Sequence, residues 1–212
     1  KITEKIDLEG LEEGLYNLQL EVKDNISGYR ESRRDFFSLH RGYQSTTRLF
    51  PDLTEELKLI RYFLPSSKTT IWASLSDPGK QNFVNQFWSR QDPTPTTERN
   101  EFLDEVKQRI DYCNSFFSHY EEGWKTDRGR IYIRHGKPDE IVKQKTGFYT
   151  KYATKDYEIW KYRMGRSFTY IFIDLLTSGN YKLIYSENDD QEVTLPDWSS
   201  YLDNDFDESL LE

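Results

Sequence analysis

The feature that most restricts the fold is a series of three short apolar segments near the end of the chain, separated only by tight turns. The segments span residues 157–164, 168–174 and 181–185. Connections as short as 164–167 and 177–180 join neighbouring antiparallel strands. We therefore predict an antiparallel β-meander. Further short strands are predicted at 131–134, where apolar and polar residues alternate, and from 141–142.

Helical patterns precede these strands along the chain. The longest predicted helix runs from about residue 98 to residue 120, because apolar side chains recur there at every third or fourth position. These side chains belong to Phe102, Val106, Ile110, Cys113, Phe117 and Tyr120. Shorter helices are predicted after an N-cap at Thr54 and after an N-cap at Ser76 or Asp77. Helices followed by an antiparallel sheet predict an α+β fold with the helices packed on one sheet face.

The beginning of the chain has a β pattern of its own. Tyr16, Leu18, Leu20 and Val22 alternate with polar residues, and a second alternation follows the turn residues 24–28. An isolated hairpin is only marginally stable in water. We therefore expect this hairpin to be the terminal part of a β-sandwich in a chain that is a fragment of a longer protein, or else to dock on the following domain. Residues 11–16 resemble the entry to a late strand of immunoglobulin-like modules, which implies an immunoglobulin-like sandwich.

The sequence thus divides into four predicted regions. Residues 1–41 contain the C-terminal strands of the β-sandwich module, and residues 42–51 form a polar linker. Residues 52–186 form the α+β domain, and residues 187–212 form an acidic tail. Ten of the 37 acidic residues of the chain lie in this tail, and no Lys or Arg follows Lys182.

Apolar residues interrupt the acidic residues of the tail. Trp198, Tyr201 and Phe206 are the aromatic ones, and they are the predicted interaction residues. The pattern suits a tail that packs against its own domain or docks onto a basic partner. A second aromatic-rich segment, 145–152, is predicted to be either a contact loop or a hairpin packed on its own sheet.

Composition and spacing disfavour several classes of function. No apolar run is long enough to span a bilayer, so no membrane span is expected. No segment concentrates Lys and Arg beside aromatic residues, so nucleic acid is not an expected partner. Cys113, the single cysteine, excludes an intrachain disulfide and is expected to be a buried helix residue. The three histidines lack metal-ligand spacing, and we expect neither a metal nor a cofactor.

Two stretches of the chain carry a specific motif. Residues 87–101 read Phe-Trp-Ser-Arg-Gln-Asp-Pro-Thr-Pro-Thr-Thr-Glu-Arg-Asn-Glu and precede the predicted long helix. Residues 123–133 read Gly-Trp-Lys-Thr-Asp-Arg-Gly-Arg-Ile-Tyr-Ile and follow it, with Gly-Lys-Pro-Asp-Glu at 136–140. Together the two stretches resemble the GWxTD domain family of bacterial proteins, over about residues 52–186. Gln91 is a departure, since members of this family usually have Arg at that position.

The resemblance implies a class of protein but no particular activity. Members of the family are secreted or envelope proteins, common in Bacteroidota and related bacteria, and β-sandwich-like sequence often precedes the domain. We therefore expect an extracytoplasmic protein, in the periplasm or on the cell surface. Its expected partner is another envelope protein, and its oligomeric state is left open.

The motif residues are first interpreted as a structural unit. This unit consists of Trp88, Asp92, Asn100, Glu101, Gly123, Trp124, Thr126, Asp127, Arg128, Gly129, Arg130, Gly136, Pro138 and Asp139. We expect Gly123 and Gly129 to adopt positive φ in turns, and Trp124 to fill the seam between helices and sheet. The side chains of Thr126 and Asp127 are expected to bond nearby backbone amides.

The charged motif residues complete this interpretation. Arg128 and Arg130 are expected to pair with Asp92, Glu101 or Asp139. Such pairs form a polar staple between the turn before the long helix and the turn after it. The first functional hypothesis is therefore a protein-interaction or assembly module without catalytic residues.

The second hypothesis uses the same side chains for chemistry. Two of the four acids Asp92, Glu101, Asp127 and Asp139 would supply a general acid and a general base. His135 is another candidate base, with Asp127 or Asp139 to orient it. Arg128 and Arg130 would bind an anionic substrate or intermediate. The sequence contains no nucleophilic serine elbow, Gly-rich phosphate loop or HExxH motif. This hypothesis is a hydrolase-like enzyme, or a small-anion or glycan-binding domain.

Overall fold

Most of the chain is described by a computed structural model. The described residues are 10–11, 14–39, 48–69, 72, 74–97, 99–144, 155–202 and 206–211. The chain divides into two compact units, Lys1–Thr47 and Arg48–Glu212. The predicted linker, 42–51, spans this division, and its residues 42–47 lie outside the described part. The predicted contact segment 145–152 also lies outside it.

The first unit contains an antiparallel hairpin, which the alternating pattern predicts. Strand β1 (Gly14–Lys23) pairs with strand β2 (Arg30–Leu39) along its full length. Asp24 closes the turn by accepting a hydrogen bond from the Ile26 amide at 2.8 Å. Three apolar side chains of β1 are exposed: Leu18, Leu20 and Val22. The described residues of this unit contain no further strand, so an immunoglobulin-like sandwich is not confirmed.

Helices form the first part of the second unit. They are α1 (Leu53–Ile60), α2 (Ser66–Thr69), α3 (Asp77–Gln91), α4 (Glu101–Phe116) and α5 (Asp127–His135). Asp52 caps α1 by accepting a hydrogen bond from the Thr54 amide, so the predicted N-cap at Thr54 is wrong. Helix α4 begins after its N-cap Asn100 and ends before Tyr120, which is exposed. Among the described residues, no helix combines the length and apolar character that a membrane span needs.

The strand predicted at 131–134 is wrong, because this segment belongs to α5. Ile131 and Ile133 alternate with polar neighbours, which suggests a strand. Both residues nevertheless lie in a helix, and both side chains are fully buried. Thr126 caps the helix, and Gly136 ends it with a φ of +78°, a conformation that favours glycine. Capping and burial therefore outweigh an alternation only a few residues long.

Four antiparallel strands form the second part of this unit. They are β3 (Glu140–Gln144), β4 (Tyr157–Met164), β5 (Arg166–Asp174) and β6 (Tyr181–Glu187). Each strand pairs with the next one in sequence, so the sheet is the predicted meander. A bulge between Ile171 and Phe172 shifts the register of β5 against β6. The α+β fold class is thereby confirmed.

The sheet buries both of its faces, which carry alternate residues of each strand. On one face Trp160, Tyr170 and Phe172 join the helices in a cluster that includes Val106 and Trp124. The larger aromatic side chains therefore fill the space between the sheet and the helices, and they compensate for a modest aliphatic content.

The other face of the sheet is covered by the end of the chain. Four isoleucines are fully buried there: Ile159, Ile171, Ile173 and Ile184. The covering residues lie between 195 and 211 and include short 3-10 turns at Trp198–Tyr201 and Glu208–Leu211. The acidic tail therefore packs against its own domain, which is one of the two predicted alternatives.

Candidate functional site

The motif segment, defined as residues 123–130, follows α4 and includes the start of α5. Side chains at and just beyond the end of α4 fix its position. The Ser118 hydroxyl accepts a hydrogen bond from the Gly123 amide at 2.9 Å, and the Asn114 side chain accepts one from the Trp124 amide at 3.3 Å. A 3-10 turn at Gly123–Lys125 then leads into α5.

Gly123 and Gly129 provide close packing, and neither has the predicted positive φ. A Cβ atom at Gly123 would lie 1.8 Å from the Cys113 carbonyl oxygen, and one at Gly129 would lie 1.9 Å from the Gly123 carbonyl oxygen. Non-bonded atoms cannot approach so closely, so a side chain at either position would displace the backbone. Cys113 itself is fully buried, and burial raises the pKa of its thiol to about 12.

Trp124 is fully buried and makes its ring contacts with the first helical region rather than with the sheet. Its ring stacks on Phe50 with centroids 4.9 Å apart, and the Tyr62 ring lies 6.0 Å away. The Lys125 ammonium group lies 5.1 Å from the Trp124 ring centroid. Trp124 therefore joins the motif segment to the residues on either side of α1.

Thr126 and Asp127 start α5 and attach it to the sheet. The Thr126 hydroxyl accepts a hydrogen bond from the Gly129 amide at 3.1 Å and donates one to the Gly123 carbonyl at 2.7 Å. Asp127 Oδ2 accepts a hydrogen bond from the Leu183 amide of β6 at 3.0 Å. An N-cap and a first-turn carboxylate both stabilise a helix start, and here the carboxylate also bonds a strand.

Arg128 is only 9% exposed and lies between aromatic rings. Its guanidinium carbon is 4.8 Å from the Phe117 ring centroid and 4.0 Å from that of Tyr181. Nη2 donates a hydrogen bond to the Gly179 carbonyl at 3.3 Å, and Nη1 lies 3.5 Å from a Glu158 carboxylate oxygen. Stacking and charge pairing therefore occupy this side chain within the domain.

Arg130 belongs to a row of ion pairs along α5. Its Nε and Nη2 donate to the two carboxylate oxygens of Glu192, each at 2.9 Å, and its Nη1 donates to Asp127 at 2.9 Å. One turn later, Arg134 Nη2 lies 2.9 Å from Glu192 and 2.7 Å from Asp189. The two arginines therefore bind the segment that follows β6 to the surface of α5.

These partners correct the predicted pairing. We expected Arg128 and Arg130 to pair with Asp92, Glu101 or Asp139, but none of these three acids bonds to either arginine. The arginines instead bond to the sheet and to the start of the tail. Their partners Glu158 and Glu192 approach α5 only when the sheet has folded against it, so proximity in sequence misdirected the prediction.

Several residues of the ion-pair row were not predicted. They are Arg134, Tyr170, Asp189 and Glu192. The Tyr170 hydroxyl donates to Asp189 at 2.7 Å and lies 3.0 Å from His135 Nε2. Burial acts to raise the pKa of the Asp189 carboxyl, but His135 at 3.8 Å, the Tyr170 hydrogen bond and the Arg134 charge hold it well below its usual range. The available signal was two arginines at helical spacing with an acidic cluster downstream.

The predicted residues before α4 form a separate cluster. Asn100 caps α4 with its side-chain oxygen, and its amide nitrogen donates to the Trp88 carbonyl at 2.7 Å. Glu101 accepts hydrogen bonds from the hydroxyl groups of Thr94 and Thr97. The Thr94 bond is the main cause of a lowered pKa for the Glu101 carboxyl. These contacts join the end of α3 to the start of α4.

Trp88 extends this cluster to α1, and Asp92 belongs to the turn after α3. The Trp88 indole nitrogen donates to the buried carboxylate of Glu56 at 2.6 Å, and the Phe50 amide donates to the same carboxylate at 2.8 Å. Burial raises the pKa of Glu56 despite these bonds. Asp92 accepts a hydrogen bond from the Thr94 amide at 2.9 Å, so it shapes the turn after α3.

The turn that contains Gly136, Pro138 and Asp139 joins α5 to the sheet. Asp139 Oδ2 accepts a hydrogen bond from the Arg163 amide at 2.6 Å, and the Asp139 amide donates to the Lys161 carbonyl at 3.0 Å. Both bonds end on β4. These residues therefore set where β3 begins beside β4, and they contact neither arginine of the motif segment.

The residues of the enzymatic hypothesis do not converge on one site, although Asp127 and Arg130 bond to each other at 2.9 Å. Asp127, Arg128 and Arg130 bond to the sheet and the tail, whereas Glu101 bonds to the turn before α4. His135 lies at the opposite end of α5 from Asp127. Within the described residues, no group of three or more His, Cys, Asp or Glu is placed to hold a metal ion.

Two clefts on the described surface lie elsewhere. One, of about 220 Å³, is lined by Lys161, Arg163 and Leu211 among others. The other, of about 310 Å³, is lined by Glu101 and neighbouring residues of α4. Neither cleft is lined by a residue of the motif segment or by His135. A ligand in either cleft would therefore not contact the motif segment.

The predicted interaction aromatics are mostly used within the chain. The Trp198 ring lies 4.5 Å from the Tyr185 ring, and the Phe206 ring lies 5.9 Å from the Tyr157 ring. Tyr201 is exposed. Trp198 and Phe206 therefore contribute to the apolar cluster on the second face of the sheet.

Comparison with protein families agrees with the motif. A family model described as the GWxTD domain matches residues 37–195. This range contains α1 to α5, β3 to β6 and the motif segment. Comparisons with curated proteins and with solved structures found no match. Because the family model matches well over half of its residues, the chain belongs to the GWxTD domain family.

Proposed function

We propose that this chain is a non-catalytic protein-interaction or assembly module of a bacterial envelope or secreted protein, and that its motif segment is a scaffold. The observation that carries the proposal is the saturation of the motif charges. Asp127 uses both carboxylate oxygens, Arg130 uses three nitrogens, and Arg128 lies between two rings. Ion-pair networks of this kind build structure and leave little bonding capacity for a ligand.

An exposed aromatic row along the last turns of α4 and just beyond its end supports the interaction role. Tyr112, Phe116 and Tyr120 are 39%, 65% and 87% exposed. The Tyr112 ring stacks on Tyr132 at 4.5 Å with an interplanar angle of 11°, and the Phe116 ring lies 4.5 Å from Tyr112. Aromatic side chains held on a rigid element commonly dominate the energy of protein–protein binding. We propose that a second envelope protein binds at this aromatic row.

Affinity capture from a solubilised envelope fraction tests the proposed function. The wild-type chain is compared with a Phe116→Ser/Tyr120→Ser variant and with Leu176→Ser, which alters an 81% exposed apolar side chain elsewhere. We expect a stoichiometric partner with the wild type and with Leu176→Ser, and its loss with the double variant. If the double variant captures the partner as well as the wild type does, the aromatic row is not the binding site. If no sample captures a partner, the interaction role is wrong.

We also propose that the hairpin of the first unit is part of an immunoglobulin-like sandwich. The exposed side chains of Leu18, Leu20 and Val22 support this, because a sandwich buries one face of each sheet against the other. Amide hydrogen exchange of β1 in the protein as it occurs in cells tests the idea. Slow exchange is expected, and exchange as fast as in an unfolded peptide would argue against a sandwich.

The proposed location is outside the cytoplasm, in the periplasm or on the cell surface. The resemblance to the GWxTD domain family, whose members are secreted or envelope proteins, supports this location. Cell fractionation with an antibody against this chain provides the test. Recovery in the periplasmic or surface fraction is expected, and recovery with cytoplasmic marker proteins would overturn the proposal.

A further inference from the structure

The sheet face opposite the helices is an apolar surface with a cover. Ile159, Ile171, Ile173 and Ile184 on this face are fully buried. We call residues 196–211 the tail cover, because its apolar side chains pack on these isoleucines. Without the tail cover, the four side chains would form a continuous apolar patch of the kind that binds partners.

The tail cover contacts this face through regularly spaced anchors. Trp198, Leu202, Phe206 and Leu210 recur at every fourth position, and all four belong to the apolar cluster on this face. Acidic residues occupy positions 203, 205, 207 and 208, between the last three anchors. The described part of the tail cover consists of two short 3-10 turns and the residues beside them, and each of these pieces places apolar side chains on the face.

In the described part of the tail cover, 196–202 and 206–211, side chains rather than backbone bonds make the attachment. The Leu195 amide donates to the Ile184 carbonyl at 2.9 Å, just before the tail cover begins. Between described residues, every hydrogen bond of residues 197–211 stays inside that segment, as from the Ser200 amide to the Asp197 carbonyl at 2.9 Å. Attachment by apolar burial is non-directional, so another segment with similar anchors can replace the first.

The family match separates the face from its cover. The match ends at residue 195, so β4, β5 and β6 lie within it and the tail cover lies outside it. The apolar face is therefore part of the shared domain, and the segment that covers it here is not. Because the shared domain includes this face but not the tail cover, different segments can bind to the face in different members of the family.

We propose that this face is a peptide-docking surface, that the tail cover is its occupant within this chain, and that a segment of another protein binds in its place. The expected segment carries Trp, Phe or Leu at every fourth position, with Asp or Glu between them. This proposal rests on the interaction function proposed above and adds the binding mode and the chemistry of a partner.

Lys161 is the cation at the edge of the face that is placed to bond an acidic segment. The cleft of about 220 Å³ lies beside Leu211, near the end of the tail cover, and is lined by Lys161, Arg163 and Glu187, and Arg163 is already paired with Glu140 at 2.9 Å. Among the described residues, Lys161 has one carboxylate within 4 Å, that of Glu140, at 3.9 Å. This distance exceeds a hydrogen bond, so the Lys161 ammonium group retains bonding capacity for a carboxylate of the bound segment.

An exchange experiment on the whole chain tests the docking surface. A protease site inserted between Pro196 and Asp197 allows the tail cover to be cut after the domain has folded around it. A fluorescent peptide with the sequence of residues 197–211 is then added, and its binding is followed by anisotropy. We expect saturable binding to the cut protein and none to the uncut protein.

Substituted peptides identify the anchors. A peptide with Trp198→Ala and Phe206→Ala should bind at least about tenfold more weakly than the native peptide. A peptide with Ser200→Ala, which changes an exposed position, is the matched control and should bind like the native peptide. Equal binding of the native peptide and the Trp198→Ala/Phe206→Ala peptide would overturn the proposal.

Two further outcomes would also overturn it. One is a cut tail cover that stays bound and exchanges only when the whole domain unfolds, since the tail cover would then be a permanent part of the core. The other is loss of near-ultraviolet circular dichroism on cutting and dilution. The exchange and circular dichroism experiments use purified components. Their results are therefore independent of whether the aromatic row at Phe116 and Tyr120 captures an envelope protein.

Discussion

Gly123 lies so close to the backbone of α4 that a Cβ atom there would be 1.8 Å from the Cys113 carbonyl oxygen. Gly123→Ala is therefore expected to lower the free energy of unfolding by about 3 kcal/mol or more, as measured by urea unfolding. Gly79→Ala is the control, because its Cβ atom would lie 3.4 Å from Ser76 Oγ, an ordinary contact. That variant should be neutral or slightly stabilising, and equal losses in both variants would argue against close packing.

Asp189 gives the domain a specific dependence on pH. Its pKa is lowered in the folded state, so its contribution to stability is present above the unfolded pKa of about 4 and is lost as pH falls further. The stability difference between wild type and Asp189→Asn should therefore be largest near pH 7 and shrink below pH 4 or so. Urea midpoints from pH 3 to pH 7 measure it, with exposed Asp190→Asn as the control. A difference that stays constant over this range would contradict the ion-pair role.

Single residues of the motif were easier to find in the sequence than their partners. Asp127 and Arg130 stand out as charged residues in a specific motif, but Arg130 bonds to Glu192, 62 residues later. Nothing in the local pattern selects Glu192 among the ten acids that follow β6 or lie at its end. The partner is chosen by the docking of α5 on β6, which is a tertiary event.

Helix α5 is the element whose identity was least evident from sequence. Ile131 and Ile133 mimic the alternation of a strand, while Thr126 and Gly136 mark the ends of a helix. Arg130 and Arg134, four residues apart, lie on one side of that helix and bind the acids after β6. A short alternation is weak evidence, and caps with helical charge spacing are the better guide in such a segment.

The ion pairs of α5 should act as one unit. Arg130→Gln leaves Glu192 with Arg134 as its remaining partner, and Glu192→Gln leaves Arg130 with Asp127. Each variant loses charge-assisted hydrogen bonds and should lower the free energy of unfolding by about 1–3 kcal/mol. The double variant should lose about 1–3 kcal/mol less than the sum, as a double-mutant cycle measures. The exposed pair Arg99–Asp104 is the control and should show little coupling. If the losses of unfolding free energy for Arg130→Gln and Glu192→Gln are additive, the ion pairs of α5 do not act as one unit.

Apart from α5, which was predicted as a strand, the order of elements along the whole molecule was predictable, since short turns between strands and a long apolar helix stripe are local patterns. The antiparallel meander and the α+β class follow from them. The position of the tail was left between two alternatives, because its anchors and acids fit either its own sheet or a partner. That choice depends on which apolar face remains open after the helices pack, and no local pattern contains this information.

Scaffolding by the motif segment is tested most directly by the stability of Asp127→Asn. A scaffold residue contributes to stability, whereas a catalytic carboxylate is often retained at a cost to stability. We predict a loss of about 1–3 kcal/mol in the free energy of unfolding, because the carboxylate bonds both the Leu183 amide and Arg130. Asp77→Asn, in the first turn of α3 and 89% exposed, is the matched control and should change little. Unchanged or increased stability of Asp127→Asn would contradict a scaffold and favour a binding or catalytic role for this side chain.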